Sequence, residues 1–292
     1  MDYFNINMES HLLAIASEKT MTPIKKSLQF GWEEFLKDPW IYIIYSVIAA
    51  ALNFSIYFSF DFVGYHLIGK CLLIILGLPL QLGIAIYYYK KNNINENHFK
   101  HFFDGFVKTF ELLKFFLIVI VGLLLLMIPL FFTVVFAEVG KDIVDGVGSN
   151  GKLSWMTEIA VILYTPIIIF IAICIMLSPY FIYFFKLKAL ESIKMSYRFV
   201  KPRWWSYLRF YLTLFFLGII GQLLIMSFCS LVFYLIPSFV KLLIAVSILG
   251  MIIISIIISL AMMHQFFTVT KMKVRKEDGS EAVLDGLVEV GA

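Results

Sequence analysis

Phe115–Ala137 reads FFLIVIVGLLLLMIPLFFTVVFA, 23 residues without one Asp, Glu, Lys or Arg. A helix rises 1.5 Å per residue, so this stretch covers about 35 Å, more than the ~30 Å hydrocarbon core of a bilayer. A helix on the surface of a soluble domain keeps a polar face toward water, and this stretch has none. Five further runs have the same character: Pro39–Phe60, Cys71–Tyr89, Ile159–Phe185, Phe210–Val240 and Leu242–Thr270. They are 22, 19, 27, 31 and 29 residues long, and each clears the length needed to span. A charge at mid-membrane costs roughly 2.5–3.5 kcal/mol on insertion scales, which explains why all six runs exclude one. The expected fold is an all-α membrane protein with six transmembrane helices. Pro237 and Ser238 beside Lys241 supply the turn between the last two.

The composition agrees. Of 292 residues, 61% are hydrophobic and only 15% charged, with a mean hydropathy of +0.90. Soluble domains carry about 25% charged residues. Cys71, Cys174 and Cys229 all fall inside apolar runs and pair with nothing by spacing, so they read as small buried hydrophobes. Charges interrupt every apolar stretch before Pro39, which excludes a secretory signal peptide in that segment.

Orientation follows from the basic residues. Twenty of the 24 Lys and Arg lie in the N-terminal segment, the second and fourth connections and the C-terminal tail. Lys70, Lys141, Lys152 and Lys241 are the four on the other side. The positive-inside rule then places both termini in the cytoplasm. Three regions result: residues 1–38, a cytoplasmic segment with an amphipathic helix; residues 39–270, the six-span domain; and residues 271–292, a mobile cytoplasmic tail. The external connection Glu138–Ser154, acidic and rich in glycine, reads as a flexible loop.

A short pattern recurs before each helical hairpin: Gly31-Trp32, Gly105-Phe106 and Ser196-Tyr197, a small residue followed by an aromatic. Apolar and charged residues alternate around it with helical spacing, as in an amphipathic helix lying among lipid headgroups. Either the chain is three repeats of one hairpin, or any inward-facing loop before a span looks like this.

The fourth connection is the most distinctive. Lys194, Arg198 and Lys201 share one helical stripe, with Leu190, Ile193, Tyr197 and Val200 on the neighbouring face. Arg203 follows, and Trp204 and Trp205 stand where an interfacial aromatic belt belongs. These six residues, Lys194, Arg198, Lys201, Arg203, Trp204 and Trp205, are the candidate contacts to lipid headgroups, anionic ones above all. The competing reading is that the basic residues only set topology.

The stretch Ile193-Lys-Met-Ser-Tyr-Arg-Phe-Val-Lys-Pro-Arg-Trp-Trp205 resembles the signature segment of the six-span superfamily of YciC-like proteins, which includes the membrane domain attached to some glycerophosphoryl diester phosphodiesterases. Gly31-Trp32-Glu33-Glu34-Phe35-Leu36-Lys37-Asp38-Pro39 is similar to that superfamily's early Gly-Trp-x-x-Phe-x-x-x-Pro segment, and Pro179 to its late proline in the fourth span. Pro202 departs from the glycine often found there. The resemblance implies six spans and a bacterial cytoplasmic membrane. It supplies no catalytic or transport residues, and no phosphodiesterase domain accompanies it.

Polar side chains within spans mark transport paths when they are ionisable. Here they are the amides Asn53, Gln81 and Gln222, which suit hydrogen bonds between helices better than ion coupling. His264 and Gln265 are expected to snorkel at the end of the last span. His98, His101 and Asp104 lack a further ligand at metal spacing, so no metal site or cofactor is expected. No Gly-x-Ser-x-Gly elbow, phosphate-binding glycine loop or His-Glu-x-x-His pair is present, and no catalytic residue is assigned. The expected function is non-enzymatic: a lipid-associated or membrane-organising protein with membrane lipids as partners and no nucleic acid. The alternative is a transporter or permease component for an uncharged or lipid-like substrate.

Overall fold

The computed structural model describes residues 12, 15–16, 23–62, 66–94, 98–145, 155–235, 240–272, 274–275 and 281–282. Among the described residues the main helical elements are α1 (Ile24–Lys37), α2 (Pro39–Phe62), α3 (His66–Ile94), α4 (Thr109–Asp145), α5 (Trp155–Ile175), α6 (Ser178–Phe184), α7 (Ala189–Val200), α8 (Trp204–Leu235) and α9 (Val240–Thr270). The 3-10 helices Phe99–Lys108 and Lys201–Arg203 lead into α4 and α8.

Five helical segments are long and apolar enough to cross a membrane among the described residues: α2, α4, α5 continued by α6, α8 and α9. The sixth expected span, Cys71–Tyr89, lies inside the 29-residue α3 but is not one of these five. The fourth is broken by a turn at Met176–Leu177. Pro179 follows in the first turn of α6, where its missing N–H has no helical partner to lose. Pro79, Pro129 and Pro166 sit inside unbroken helices. The first part of the expected external loop, Glu138 to Asp145, is helical, because α4 continues through Asp145; residues 146–154 lie outside the described residues.

Buried side chains concentrate where α3, α6 and α9 end. Tyr42, Tyr45, Tyr87, Phe102, Phe181, Phe199, Phe266 and Phe267 are fully enclosed there. We call this the aromatic end. Away from it α2, α4, α5 and α8 expose large apolar side chains, among them Phe54, Leu124, Phe131, Ile162, Phe216 and Leu224. Exposed apolar surface of that extent marks contact with a membrane or a partner.

The recurring sequence pattern has a geometric counterpart. A Cβ added at Gly31 would lie 2.7 Å from the Ile257 carbonyl oxygen of α9. One added at Gly105 would lie 2.5 Å from the Pro79 carbonyl oxygen of α3. Ser196 of α7 donates its hydroxyl to the Cys174 carbonyl of α5. Each leading segment therefore sets its small residue against the second long helix of the preceding pair, and the first docks on the last, α9. Ten residues beyond these three contact points stand Phe267, Tyr89 and Phe184, and the three rings meet one another. Their centroids are 5.3 Å apart for Tyr89–Phe184, 6.0 Å for Tyr89–Phe267 and 5.2 Å for Phe184–Phe267. One turn before each small residue, Ser27, His101 and Ser192 are buried polar side chains. Three pairs of long helices thus make corresponding small-residue and ring contacts.

The amphipathic helices differ from surface-lying ones in what they bury. The inner face of α1 carries Ser27, Gly31, Glu34 and Phe35 against the bundle, leaving Lys25, Lys26, Trp32 and Glu33 outside. Lys91 of α3 pairs with Asp38, tying the α1–α2 junction to the end of the first hairpin. At the C-terminus Met272 is buried and Val274–Arg275 pairs antiparallel with Glu281–Ala282; the rest of the expected mobile tail lies outside the described residues.

Candidate functional site

Helix α7 starts where two carboxylates meet its free N–H groups: Glu191 accepts from Lys188 N at 3.2 Å and Glu111 of α4 from Ala189 N at 3.3 Å. The helix then buries Ala189, Ser192, Met195, Ser196, Phe199 and Val200. Its outer face keeps Leu190, Lys194, Tyr197, Arg198 and Lys201, with the Lys201 ammonium 5.6 Å from the Tyr197 ring centroid. Three of the four basic residues predicted to meet headgroups are therefore exposed together. The apolar partners are corrected: Val200 and Ile193 pack into the core, and Leu190 and Tyr197 remain outside.

Arg203 does not join them. It is 3% exposed and donates to the carbonyls of Ile15 at 2.9 Å, Phe199 at 3.0 Å and Ala16 at 3.3 Å. Helical spacing explains this: position 203 follows the buried Phe199 by four residues and the buried Ser196 by seven, so it falls on the inner face, beneath the carbonyl end of α7, where a cation is favourable. The two tryptophans also separate. Trp205 is 70% exposed, whereas Trp204 is half-buried with its ring 4.7 Å from Phe170 in a T-shaped contact.

The three intramembrane amides do not converge on one site. Gln81 and Gln222 are exposed, Asn53 is half-buried, and among the described residues none of the three has a hydrogen-bond partner. Gln222 lines a cleft of about 570 Å³ between α5, α8 and α9; Asn53 and Gln81 do not. The walls of the cleft are mostly apolar, with Met176, Phe215 and Met251 among them. Ser259 spends its hydroxyl on the Ser255 carbonyl at 2.8 Å, which leaves that wall little polarity. Sequence reading missed the cleft, because its lining alternates with core residues on three helices far apart in the chain.

Two polar clusters at the aromatic end hold helices together. Asp104 takes Lys90 and His101 at 2.8 Å each, linking α3 to the 3-10 helix before α4. Gln265, buried rather than snorkelling, donates to the Ser27 hydroxyl at 2.8 Å, and His264 Nδ1 lies 3.1 Å from the same oxygen. The Phe30 ring stacks on His264 at 4.3 Å. The buried Ser27 hydroxyl of α1 draws both residues inward. No group of three or more metal-ligating side chains occurs among the described residues. Of the cysteines, Cys174 is buried with a free thiol; the side chains of Cys71 and Cys229 lie outside the described set.

Comparisons with protein families, curated proteins and solved structures return no match for this chain.

Proposed function

We propose that this chain is a six-span protein of the bacterial cytoplasmic membrane, with both termini in the cytoplasm, that associates with anionic lipid and catalyses no reaction. The observation that carries the reading is the outer face of α7. Lys194, Arg198 and Lys201 stand there beside the exposed apolar side chains of Leu190, Tyr197 and Trp205. Cations flanked by apolar and aromatic groups suit an anionic headgroup layer.

The sixth span is supported by the corresponding small-residue contacts, in which Pro79 of α3 takes the part played by Cys174 of α5 and Ile257 of α9. The orientation is supported by the Lys and Arg asymmetry, which makes the aromatic end cytoplasmic. Membership of the YciC-like six-span superfamily rests on the segments around Gly31 and Ser196, whose small residues are the ones that dock between hairpins. A second reading, transport of an uncharged or lipid-like substrate, is favoured by the cleft beside Gln222.

Replacing Lys194, Arg198 and Lys201 with Gln removes on the order of 3 kcal/mol of attraction to a strongly anionic surface, before salt screening reduces it. Anionic lipid retained by the purified protein, measured by native mass spectrometry, should fall well below that of a variant lacking Lys271, Lys273 and Arg275. Equal retention by the two variants would mean that the basic face of α7 only sets topology.

A further inference from the structure

Gly218 and Gln222 line one wall of the cleft together with Tyr211 and Phe215. Positions 204, 211, 215, 218 and 222 recur on one face of α8, so Trp204 stands above the same wall, two turns nearer the aromatic end. At 1.5 Å per residue the wall runs from about 10 Å to about 27 Å beyond Trp204, a depth that in a spanning helix lies within hydrocarbon. Met176 lines the cleft, and Cys174, two residues earlier, accepts the Ser196 hydroxyl of α7. Phe170 of α5 touches both Trp204 and Tyr197, and Lys201 lies over Tyr197. Helix α5 thereby links an apolar trough of molecular size to the helix that carries the exposed cations. Charge on α7 and apolarity in the cleft are separated as they are along a phospholipid.

We propose that the cleft between α5, α8 and α9 holds one acyl chain of an anionic phospholipid whose phosphate rests against Arg198 and Lys201. The headgroup half of this proposal rests on the lipid-associated reading of α7; the acyl-chain half rests on the cleft alone. The trough suits a flexible hydrocarbon chain, because its polar wall groups are few. Gly218 leaves room on its wall: a Cβ there would meet nothing closer than the Ile258 Cδ1 at 3.7 Å, an ordinary contact, so a side chain can start from that position without a backbone clash.

The test uses the full chain purified in mild detergent, with phosphatidylglycerol and phosphatidylcholine of identical chains added and bound lipid counted by native mass spectrometry. The native protein should retain one phosphatidylglycerol in preference to phosphatidylcholine, and more strongly as the chains are lengthened from eight to sixteen carbons. Gly218→Leu and Ser255→Leu, which fill the cleft from α8 and from α9, should each weaken retention of both lipids at least tenfold. Leu224→Phe, an outward-facing change away from the cleft, should leave retention as it is. Arg198→Gln with Lys201→Gln should abolish the preference for phosphatidylglycerol while phosphatidylcholine stays bound. Undiminished retention in both filling variants, or indifference of the native protein to chain length, overturns the cleft as the site. An unchanged preference in the charge variant, with the filling variants still defective, overturns the headgroup assignment and the α7 reading, and leaves the acyl chain in the cleft.

Discussion

Phe102→Ala should cost about 3 kcal/mol of stability, the lower end of the range for emptying a buried phenylalanine site. Phe102 is fully buried between two rings, stacked on Tyr45 and on Tyr87 at 4.1 Å each. The stack joins α2, α3 and the 3-10 helix before α4, so its loss loosens the first hairpin from the second. Tyr45 also donates to the Leu80 carbonyl at 2.5 Å and depends on the stack for its position. The lower end applies because lipid tails are as apolar as a protein core. The loss is then one of packing contacts and an unfilled cavity rather than of transfer from water. Thermal unfolding in detergent measures it, with Phe54→Ala, an exposed phenylalanine at the far end of α2, as the control expected to change little. A Phe102 variant as stable as the control would mean that the aromatic end is not the packed core.

Arg203→Met should release the N-terminal segment. Leu12, Ile15 and Ala16 are buried at the aromatic end, and two of the three carbonyls that Arg203 binds belong to that segment. Hydrogen bonds from a charged donor contribute about 1.5–3 kcal/mol each, and three sharing one guanidinium are not additive, so a loss of about 3 kcal/mol is expected. Hydrogen exchange at Ile15 and Ala16 should rise by an order of magnitude or more. Lys201→Met, two residues away on the outer face, should leave it as it is. Unchanged exchange in the Arg203 variant would place the anchor of this segment elsewhere.

What the sequence made legible follows the range over which each signal acts. Apolar runs are contiguous, so the helices at Phe115–Ala137 and its counterparts could be read directly. The small residues Gly31, Gly105 and Ser196 were visible as a pattern, but their partners Ile257, Pro79 and Cys174 lie far off in the chain, and only the packed hairpins make the three contacts equivalent. Arg203 was grouped with its basic neighbours by charge and proximity, whereas its spacing of four from Phe199 and seven from Ser196 places it on the buried face of α7. Gln265 was misread for a related reason. A polar residue near a helix end snorkels only when no buried partner waits, and Ser27, at the other end of the chain, supplies one. The cleft beside Gln222 has no contiguous signal, since three separate helices contribute its walls.

A six-span arrangement requires α3 to cross the membrane and return the first hairpin to the side on which it began. With Cys71, Cys174 and Cys229 replaced by alanine, single cysteines at Gly64, Asn95, Ser149 and Lys276 are reacted in intact cells with a membrane-impermeant thiol reagent. Gly64→Cys and Ser149→Cys should be modified from outside, while Asn95→Cys and Lys276→Cys should react only after the membrane is opened. Reaction of Gly64→Cys and Asn95→Cys from the same side would contradict the six-span, three-hairpin arrangement.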